Sequence, residues 1–412
     1  MQNPSTPLPA EALISHVKSE SAPASDMVHA DALLAHVDRI SPTVAALHAE
    51  DVDHAARFPV ETIQALGNAK LLSAGIPRLY GGGGCRLETL AQMCTSLARS
   101  CASSAMIFAM HQIQIASIVE HRAEVPELAE YLRDVVERQR LIASVTSEVG
   151  TGGDLRRSIA AVIPSGEAVA IKKAATTISY CEQADDLLVT LRRASDAAPS
   201  DQVLLLLRKG QFSLQETGDW NTLGMRGTCS PAATVIGTGA AWQILPAPFR
   251  IIASVTMVPV SHILWAAVWF GIASDAFDRA RRMTQIRGRK DADSATNGGI
   301  NLAALATRLD GMRARLESAI HDHAQANSSA ICDSTTDMRA ALRMNYLKLA
   351  ASEDVIRIVS DAIQICGIAS YRNGGEFSLG RHLRDAHSAP LMINNDRIRR
   401  TNADLLLVYK GR

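Results

Sequence analysis

The spacing of apolar residues changes twice along the chain, from helical to β-type and back to helical. Up to about residue 140 the pattern is helical, and Ser100 to His121 is apolar on all sides, as in a buried helix. From Leu141 to Phe249, short apolar runs stand between Gly, Ser, Pro and Asp, which is typical of strands. Helical patterns return from Val258. This order predicts an α+β fold with a flexible tail at 1–27, an N-terminal helical domain at 28–140, a middle β-domain at 141–250 and a C-terminal helical domain at 251–412.

Individual elements can be placed from proline and glycine. Phe58-Pro59 puts a proline near a helix N-terminus, and Gly67 stands at its expected end. Pro77 and the glycines at 81–84 then break the chain before a helix near Leu87. The clearest strand candidates are 186–191, 202–207 and 233–236, and long helices are expected at 261–282, 301–326 and 338–366.

Composition narrows the class of protein. The chain has 42 Lys and Arg against 42 Asp and Glu, so no net field attracts nucleic acid or an anionic membrane. We find no apolar run long enough to span a bilayer, and residues 1–25 lack the layout of a secretory signal. The seven cysteines form no CxxC pair and predict neither a disulfide framework nor a metal site. We therefore expect a cytoplasmic protein without a metal.

One loop carries candidate chemistry. Ser147-Glu148-Val149-Gly150-Thr151-Gly152-Gly153-Asp154 follows a run that reads as a buried strand. Glycines let another group approach the main chain closely, and successive N–H groups in such a loop can hold an anion or a carbonyl oxygen. Taken alone, the loop favours an ordinary turn between strands.

Several motifs that occur in a fixed order favour a binding loop over an ordinary turn. They are Phe58-Pro59, Pro77-Arg78-Leu79-Tyr80-Gly81-Gly82, the loop at Ser147 to Asp154, Trp220 to Thr228, Lys348 to Glu353 with Gln364 to Gly367, and Arg384-Asp385. Their order resembles the acyl-CoA dehydrogenase superfamily, including its flavin-dependent monooxygenase branch. The resemblance covers nearly all of the chain after residue 30. It implies an N-terminal helical domain, a middle β-domain and a C-terminal helical bundle.

The resemblance also implies contacts to a flavin ring. Ser147 would meet the pyrimidine edge of the ring, and Gly152 belongs to the same loop. Thr177-Ile178-Ser179 aligns with the family's Trp-Ile-Thr strand, so Ser179 would reach the N5 region. Thr177 replaces the tryptophan that covers the ring, which leaves that face more open. For each hydroxyl, a solvent-facing side chain on a strand is the alternative.

Dinucleotide binding is implied at a second place. Arg287 aligns with the arginine that pairs with the pyrophosphate of a neighbouring subunit, a task that suits a bidentate, always charged guanidinium. Gln364 and Gly367 align with a turn that meets the same dinucleotide, although Ile368 and Ser370 replace two of its glycines. FAD is the expected cofactor, with FMN or a diffusible reduced flavin as alternatives. Sites shared between subunits imply a homodimer or a homotetramer.

The base of the dehydrogenase reaction is missing from its usual places. Removal of a weakly acidic α-proton needs a carboxylate within hydrogen-bond reach. The family's glutamate position holds Ile393, and the alternative position on the first helix after the β-domain holds Ser261. Asp396 and His262 are the nearest titratable substitutes. A helix cap or surface acid is the competing interpretation of Asp396, and a core histidine is that of His262.

The monooxygenase branch shares the fold, binds reduced flavin and reacts it with oxygen. It often uses a histidine that would fall near Met392. His387, five residues earlier, is the candidate here. The sequence leaves both signatures incomplete.

Three functions follow as hypotheses. The first is an acyl-CoA dehydrogenase-type enzyme that oxidises an acyl thioester with FAD and passes electrons to a partner protein. The second is a monooxygenase that receives reduced flavin from a separate reductase and hydroxylates a small substrate. The third is a redox-silent protein that binds an acyl group. The prevalence of dehydrogenases with this layout favours the first by a small margin, which is an argument from fold alone.

Overall fold

The N-terminal part of the chain is helical. The computed structural model describes residues 24–409, apart from 217, 291 and 329–333. A π-helical segment at Ser41–Ala45 joins the first two helices, and α5 is buried on nearly all sides. Pro59 precedes α3, as the sequence predicted. The helices are α1 Ala24–Ile40, α2 Ala46–His54, α3 Val60–Asn68, α4 Leu87–Ala98, α5 Ala102–His121 and α6 Pro126–Arg138.

The middle part is made of strands in two sheets. They are β1 Ile142–Val145, β2 Ile163–Ser165, β3 Ala168–Ala175, β4 Asp186–Arg192, β5 Gln202–Leu207, β6 Phe212–Glu216 and β7 Ala233–Ala240. The first sheet has the order β1-β4-β5, in which β1 and β4 are parallel. The second has the antiparallel order β2-β3-β7-β6. All of β5 is buried, which explains its continuous apolar run.

Helices return after residue 248. They are α7 Phe249–Ile251, α8 Val258–Gly288, α9 Ala292–Ser328, α10 Ser334–Cys366, α11 Ile368–Tyr371, α12 Gly380–Ala386 and α13 Asn395–Val408. The long helix α8 packs on α9 and α10, and it also contacts α4 and α5 of the N-terminal part. One continuous hydrophobic core therefore joins the helical parts and the β-domain.

Within the described residues the protein has no clear membrane span, as the sequence predicted, although two of its helical stretches form longer apolar runs than expected. The two stretches, Ala102–His121 and Phe249–Gly288, are long and apolar enough to span a bilayer by length and composition. In their most apolar windows, 89% and 72% of the residues are buried inside the protein. A helix that is apolar all round is what the centre of a large core requires, and this packing accounts for their composition.

Candidate functional site

The glycine-rich loop and the end of β3 are joined by Ser147. Its hydroxyl donates to the carbonyl oxygen of Thr177 at 2.7 Å and accepts from the Thr177 N–H at 3.1 Å. The N–H of Val149 also donates to the carbonyl oxygen of Ala174 at 3.0 Å. Ser147 and Thr177, which the sequence separates by thirty residues, therefore lie side by side.

The loop itself offers open backbone. Gly150, Gly152 and Gly153 have φ angles of +89°, +59° and +77°, a region that suits glycine. A Cβ built on Gly152 would meet no atom within 4 Å. The carbonyl oxygen of Gly152 accepts a hydrogen bond from Arg397 of α13, which ties the loop to the C-terminal helices. The main chain of this loop is therefore open to the close approach of another group.

A buried ion pair between Glu148 and Lys173 stabilises the start of the glycine-rich loop. Glu148, only 5% exposed, accepts from Ser158 Oγ at 2.7 Å and from the Ala160 N–H at 2.5 Å. Lys173 Nζ lies 3.6 Å from the carboxylate of Glu148 and donates to the carbonyl oxygen of Thr190 at 2.7 Å. Burial lowers the pKa of Lys173 to about 8, with Glu148 opposing that shift. The carboxylate fixes the start of the loop.

Sequence reasoning did not assign this pair, although a signal was present. Along β3 the buried positions are 169, 171, 173 and 175, so strict alternation places Lys173 on the inward face. A lysine at an inward position of an amphipathic strand requires a buried partner.

Ser179 follows Thr177 by two residues and carries a further hydroxyl. Thr177 is exposed, Ile178 is fully buried and Ser179 is half-buried. Ser230 Oγ, which the sequence analysis did not single out, donates to Ser179 Oγ at 2.9 Å. We call Ser147, Thr177 and Ser179 the polar edge, since Ser147 bonds to the main chain of Thr177 and Ser179 follows two residues later.

The three residues expected at the dinucleotide are also grouped. Arg287, at the end of α8, donates to the carbonyl oxygens of Ile365 and Cys366 at 2.6 and 2.8 Å. Gly367 has a φ of +65°, and a Cβ there would lie 3.3 Å from Arg287 Nη2. Gln364 is exposed on the preceding turn. Within the described residues, no carboxylate lies within 4 Å of Arg287, and its two terminal nitrogens donate to these carbonyl oxygens.

The motif at Trp220 to Thr228 in the β-domain contacts the Arg384-Asp385 motif of α12. The Met225 N–H donates to Asp385 Oδ1 at 2.6 Å. A Cβ on Gly224 would lie 2.1 Å from the carbonyl oxygen of Arg384, so only glycine allows this approach. Burial raises the pKa of Asp385 to about 6. The loop after β6 is therefore clamped to the Arg384-Asp385 pair.

Comparisons with known proteins agree with this arrangement. The family models "Acyl-CoA dehydrogenase, N-terminal domain" and "Acyl-CoA dehydrogenase, C-terminal domain" match residues 29–139 and 263–394, together more than half of the chain. The chain belongs to the acyl-CoA dehydrogenase superfamily. The family and the fold class predicted from the sequence are thus confirmed.

Individual relatives fall into both branches of the superfamily. Cyclohex-1-ene-1-carbonyl-CoA dehydrogenase of Syntrophus aciditrophicus is 24% identical over 86% of this chain and 84% of its own length. The probable FMNH2-dependent monooxygenase SfnC of Pseudomonas putida is 23% identical over 79% of this chain and 82% of its own. FMN-bound TdsC of Paenibacillus sp. A11-2 superposes with a TM-score of 0.80 at 19% identity, covering 92% of this chain and 98% of TdsC.

Asp396 lies in the first turn of α13. Its carboxylate is 71% exposed and pairs with Arg399 at 2.8 Å, while its N–H is capped by Asn394 Oδ1 at 2.8 Å. These are the surroundings of a surface acid in the first turn of a helix. Its role as a base stays a prediction.

The two candidate histidines lie in opposite environments. His262 is 1% exposed, its Nδ1 lies 3.2 Å from the carbonyl oxygen of Met344, and burial lowers its pKa to about 4. His387 is exposed at the C-terminal end of α12. His262 has the contacts of a neutral core histidine, and neither residue touches the glycine-rich loop in the contacts that the structure describes.

Lys348 is the residue that most clearly organises the segment around position 393. It is fully buried on α10, and its Nζ donates to the carbonyl oxygen of Ile393 at 2.8 Å and to Asn395 Oδ1 at 2.6 Å. Ile393 has a φ of +46°, a strained value for a β-branched residue. The sequence motif at 348–353 marked the region without showing this contact.

A cavity of about 1350 Å³ lies away from the glycine-rich loop. It is lined by residues of α1, α4, α5, α8 and α9, among them Leu90, Val119, Val260 and Phe270. None of the residues of the polar edge lines it. We place the candidate site at the polar edge of Ser147, Thr177 and Ser179, because Thr177 lies beside Ser147, at the start of the loop whose backbone is open at Gly152.

No group of three or more His, Cys, Asp or Glu side chains that could hold a metal ion occurs within the described ranges. Cys332 and the N-terminal 23 residues lie outside them.

Proposed function

We propose that this protein is a flavin-dependent monooxygenase of the acyl-CoA dehydrogenase superfamily, which takes reduced flavin from a separate reductase and hydroxylates a small substrate with oxygen. The proposal rests on the missing base. The resemblance to the superfamily implies that Ile393 and Ser261 stand at the two positions from which a carboxylate would remove an α-proton. The nearest acid, Asp396, is exposed and paired with Arg399. A flavin that reacts with oxygen needs no such carboxylate.

The residues of the site fit a flavin. Ser147 and Ser179 would bond to the polar edge of the ring, and the open loop at Gly152 would let the ring approach the main chain. Arg287 would hold a phosphate group. A bound flavin would supply electron transfer and, when reduced, the reaction with oxygen. The arginine at the far end of α8 favours FAD, whereas the exposed Thr177 in place of a covering tryptophan favours a more loosely held flavin such as FMN.

A second candidate is an acyl-CoA dehydrogenase that oxidises an acyl thioester. It is favoured by the match to cyclohex-1-ene-1-carbonyl-CoA dehydrogenase over most of both chains. It requires that Asp396, or another group outside the two usual positions, act as the base. It was also the function that the sequence alone favoured slightly.

Self-association is part of the proposal. Beside Arg287, the side chains of Ile286, Ile368 and Tyr371 are 40%, 71% and 81% exposed. Apolar side chains around an arginine without a described carboxylate partner suit a contact between subunits. We expect a homodimer or a homotetramer that uses this surface. Light scattering of the purified protein, compared with a Tyr371→Glu variant, tests it; a wild-type monomer contradicts it.

Two parallel experiments separate the two enzymes. Oxidised, flavin-loaded protein is titrated without oxygen with a panel of acyl-CoAs, and the flavin absorbance is followed. The same protein is then supplied with reduced FMN and oxygen together with aromatic, amine or thioester substrates, and hydroxylated product is measured. Product in the second experiment without bleaching in the first supports the monooxygenase. Bleaching by any thioester supports the dehydrogenase.

A further inference from the structure

A chain of hydroxyl groups runs from Ser179 into the β-domain. Ser230 Oγ lies 2.9 Å from Ser179 Oγ and 2.9 Å from Thr228 Oγ1. Thr228 Oγ1 lies 2.8 Å from the carbonyl oxygen of Met225. Ser230 and Thr228 are each 3% exposed, whereas Ser179 is half-buried. The outer end of the chain therefore reaches the site, and its inner end is a carbonyl oxygen.

Each hydroxyl has a single hydrogen, so the chain can be ordered in two directions. In the inward order, Ser179 donates to Ser230, Ser230 to Thr228, and Thr228 to the carbonyl of Met225. In the outward order, Thr228 donates to Ser230 and Ser230 to Ser179, whose own hydrogen then points into the site. The inward order makes Ser179 an acceptor toward a ligand, and the outward order makes it a donor. No proton leaves its oxygen, because each hydroxyl only rotates.

The inner end of the chain permits both orders. The carbonyl oxygen of Met225 also accepts from the Thr228 N–H at 3.0 Å and from Trp220 Nε1 at 3.2 Å. It stays bonded when the Thr228 hydroxyl turns away, so no buried acceptor is left unsatisfied. Ser230 has a further acceptor in the carbonyl oxygen of Thr228 at 3.3 Å. Reversal therefore exchanges hydrogen bonds of similar strength.

We propose that Ser230 and Thr228 are positioning residues that let Ser179 reverse its hydrogen bond with the redox state of a bound flavin. This inference rests on the proposed flavin site. In an oxidised flavin the N5 nitrogen of the ring, which Ser179 would reach, has a lone pair. In a reduced flavin the same nitrogen carries a hydrogen. Ser179 donates to the first and accepts from the second, and the buried hydroxyls supply the matching partner in each case.

Ser230→Ala tests the reversal by an asymmetric effect on affinity. When oxidised flavin is bound to this variant, Ser179 still donates its hydrogen to the ring, so the affinity should change little. Against reduced flavin, the Ser179 hydrogen loses its acceptor inside the protein. We expect the dissociation constant for reduced FMN, measured without oxygen, to rise roughly threefold to tenfold, the worth of one neutral hydrogen bond, while that for oxidised FMN changes less than about twofold. A parallel series uses FAD.

Two further variants serve as comparisons for Ser230→Ala. Ser179→Ala removes both the donor and the acceptor, so it should weaken both redox states alike. Ser117→Ala is the matched control, because Ser117 is a fully buried serine of α5 whose hydroxyl donates to the carbonyl of Ile113 at 2.9 Å. It should leave the ratio of the two dissociation constants unchanged.

The outcomes distinguish this inference from the proposed function. An equal change for both redox states in Ser230→Ala, or no change in either, overturns the reversal while the flavin site stands. Wild-type protein that binds neither FMN nor FAD in either state overturns the proposed function and the reversal with it.

Discussion

Lys348 Nζ donates to the carbonyl oxygen of Ile393 at 2.8 Å and so connects α10 to the strained turn that precedes α13. Asn395, the second acceptor of Lys348, also donates to Ser352 Oγ at 3.1 Å. From the first turn of α13, Arg397 reaches the carbonyl of Gly152. A buried lysine thus holds in place a segment that contacts the glycine-rich loop.

Lys348→Met should release this turn. Methionine fills the space but donates no hydrogen bond, so the amides of residues 393–397 should exchange faster with deuterated solvent, and flavin should bind more weakly. Hydrogen exchange followed by mass spectrometry measures the first effect independently of any ligand. Unchanged exchange across this segment would show that the turn does not depend on Lys348.

The same variant tests the ionisation of Lys348. Burial lowers its pKa from 10.5 to about 7, so between these values the folded chain binds fewer protons than the unfolded chain. The cost of burying the ammonium is fully present below pH 7 and is relieved as the pH rises toward 10.5. The stability of wild type relative to Lys348→Met should therefore be greater at about pH 9 than at about pH 6.5. Urea unfolding at both values measures it, and an equal difference would contradict the shifted pKa.

The Glu148–Lys173 pair should show strong coupling. Glu148→Gln and Lys173→Met each leave one buried partner uncompensated, and each should lower the free energy of unfolding by roughly 3 kcal/mol. The double variant should lose less than the sum of the two, because neither charge is then left alone. Arg193→Gln is the control, since its ion pair with Asp201 is about half exposed on both sides and should contribute under ~1 kcal/mol. Additive losses would contradict the coupling.

Arg287→Ala should discriminate between flavins. If the guanidinium holds the pyrophosphate, its removal should weaken FAD about tenfold or more, the worth of charge-assisted hydrogen bonds, and weaken FMN much less. Isothermal titration with both flavins measures the ratio. Arg289→Ala, an exposed arginine two residues further on, is the control and should change neither affinity. Equal losses of FAD and FMN in Arg287→Ala would place the pyrophosphate elsewhere.

Asp396→Asn separates the two candidate functions. The carboxylate is exposed and paired with Arg399, so its loss should change stability by less than ~1 kcal/mol and leave hydroxylation by the proposed monooxygenase nearly intact. Product formation with reduced flavin and oxygen measures this. If the variant instead binds flavin normally but no longer bleaches with an acyl-CoA that bleaches the wild type, Asp396 is the base of a dehydrogenase.

The sequence alone determined the order of domains, most of the long helices and strands, and the superfamily. These features are local or periodic: a glycine after a helix, alternation along β3, and motifs read in order each depend on neighbouring residues. Composition alone does not separate a core helix such as α5 from a spanning helix, whereas the burial of α5 inside the protein does.

Only the tertiary structure decided which polar groups meet. Lys348 with Ile393, Glu148 with Lys173, and Ser179 with Ser230 are separated by 25 to 51 residues along the chain. Nothing in the local pattern of either partner specifies the other. Their contacts arise because burying the apolar core fixes where α10, β3 and the loop before β7 lie, and a buried polar group must then bond to the donors and acceptors within its reach.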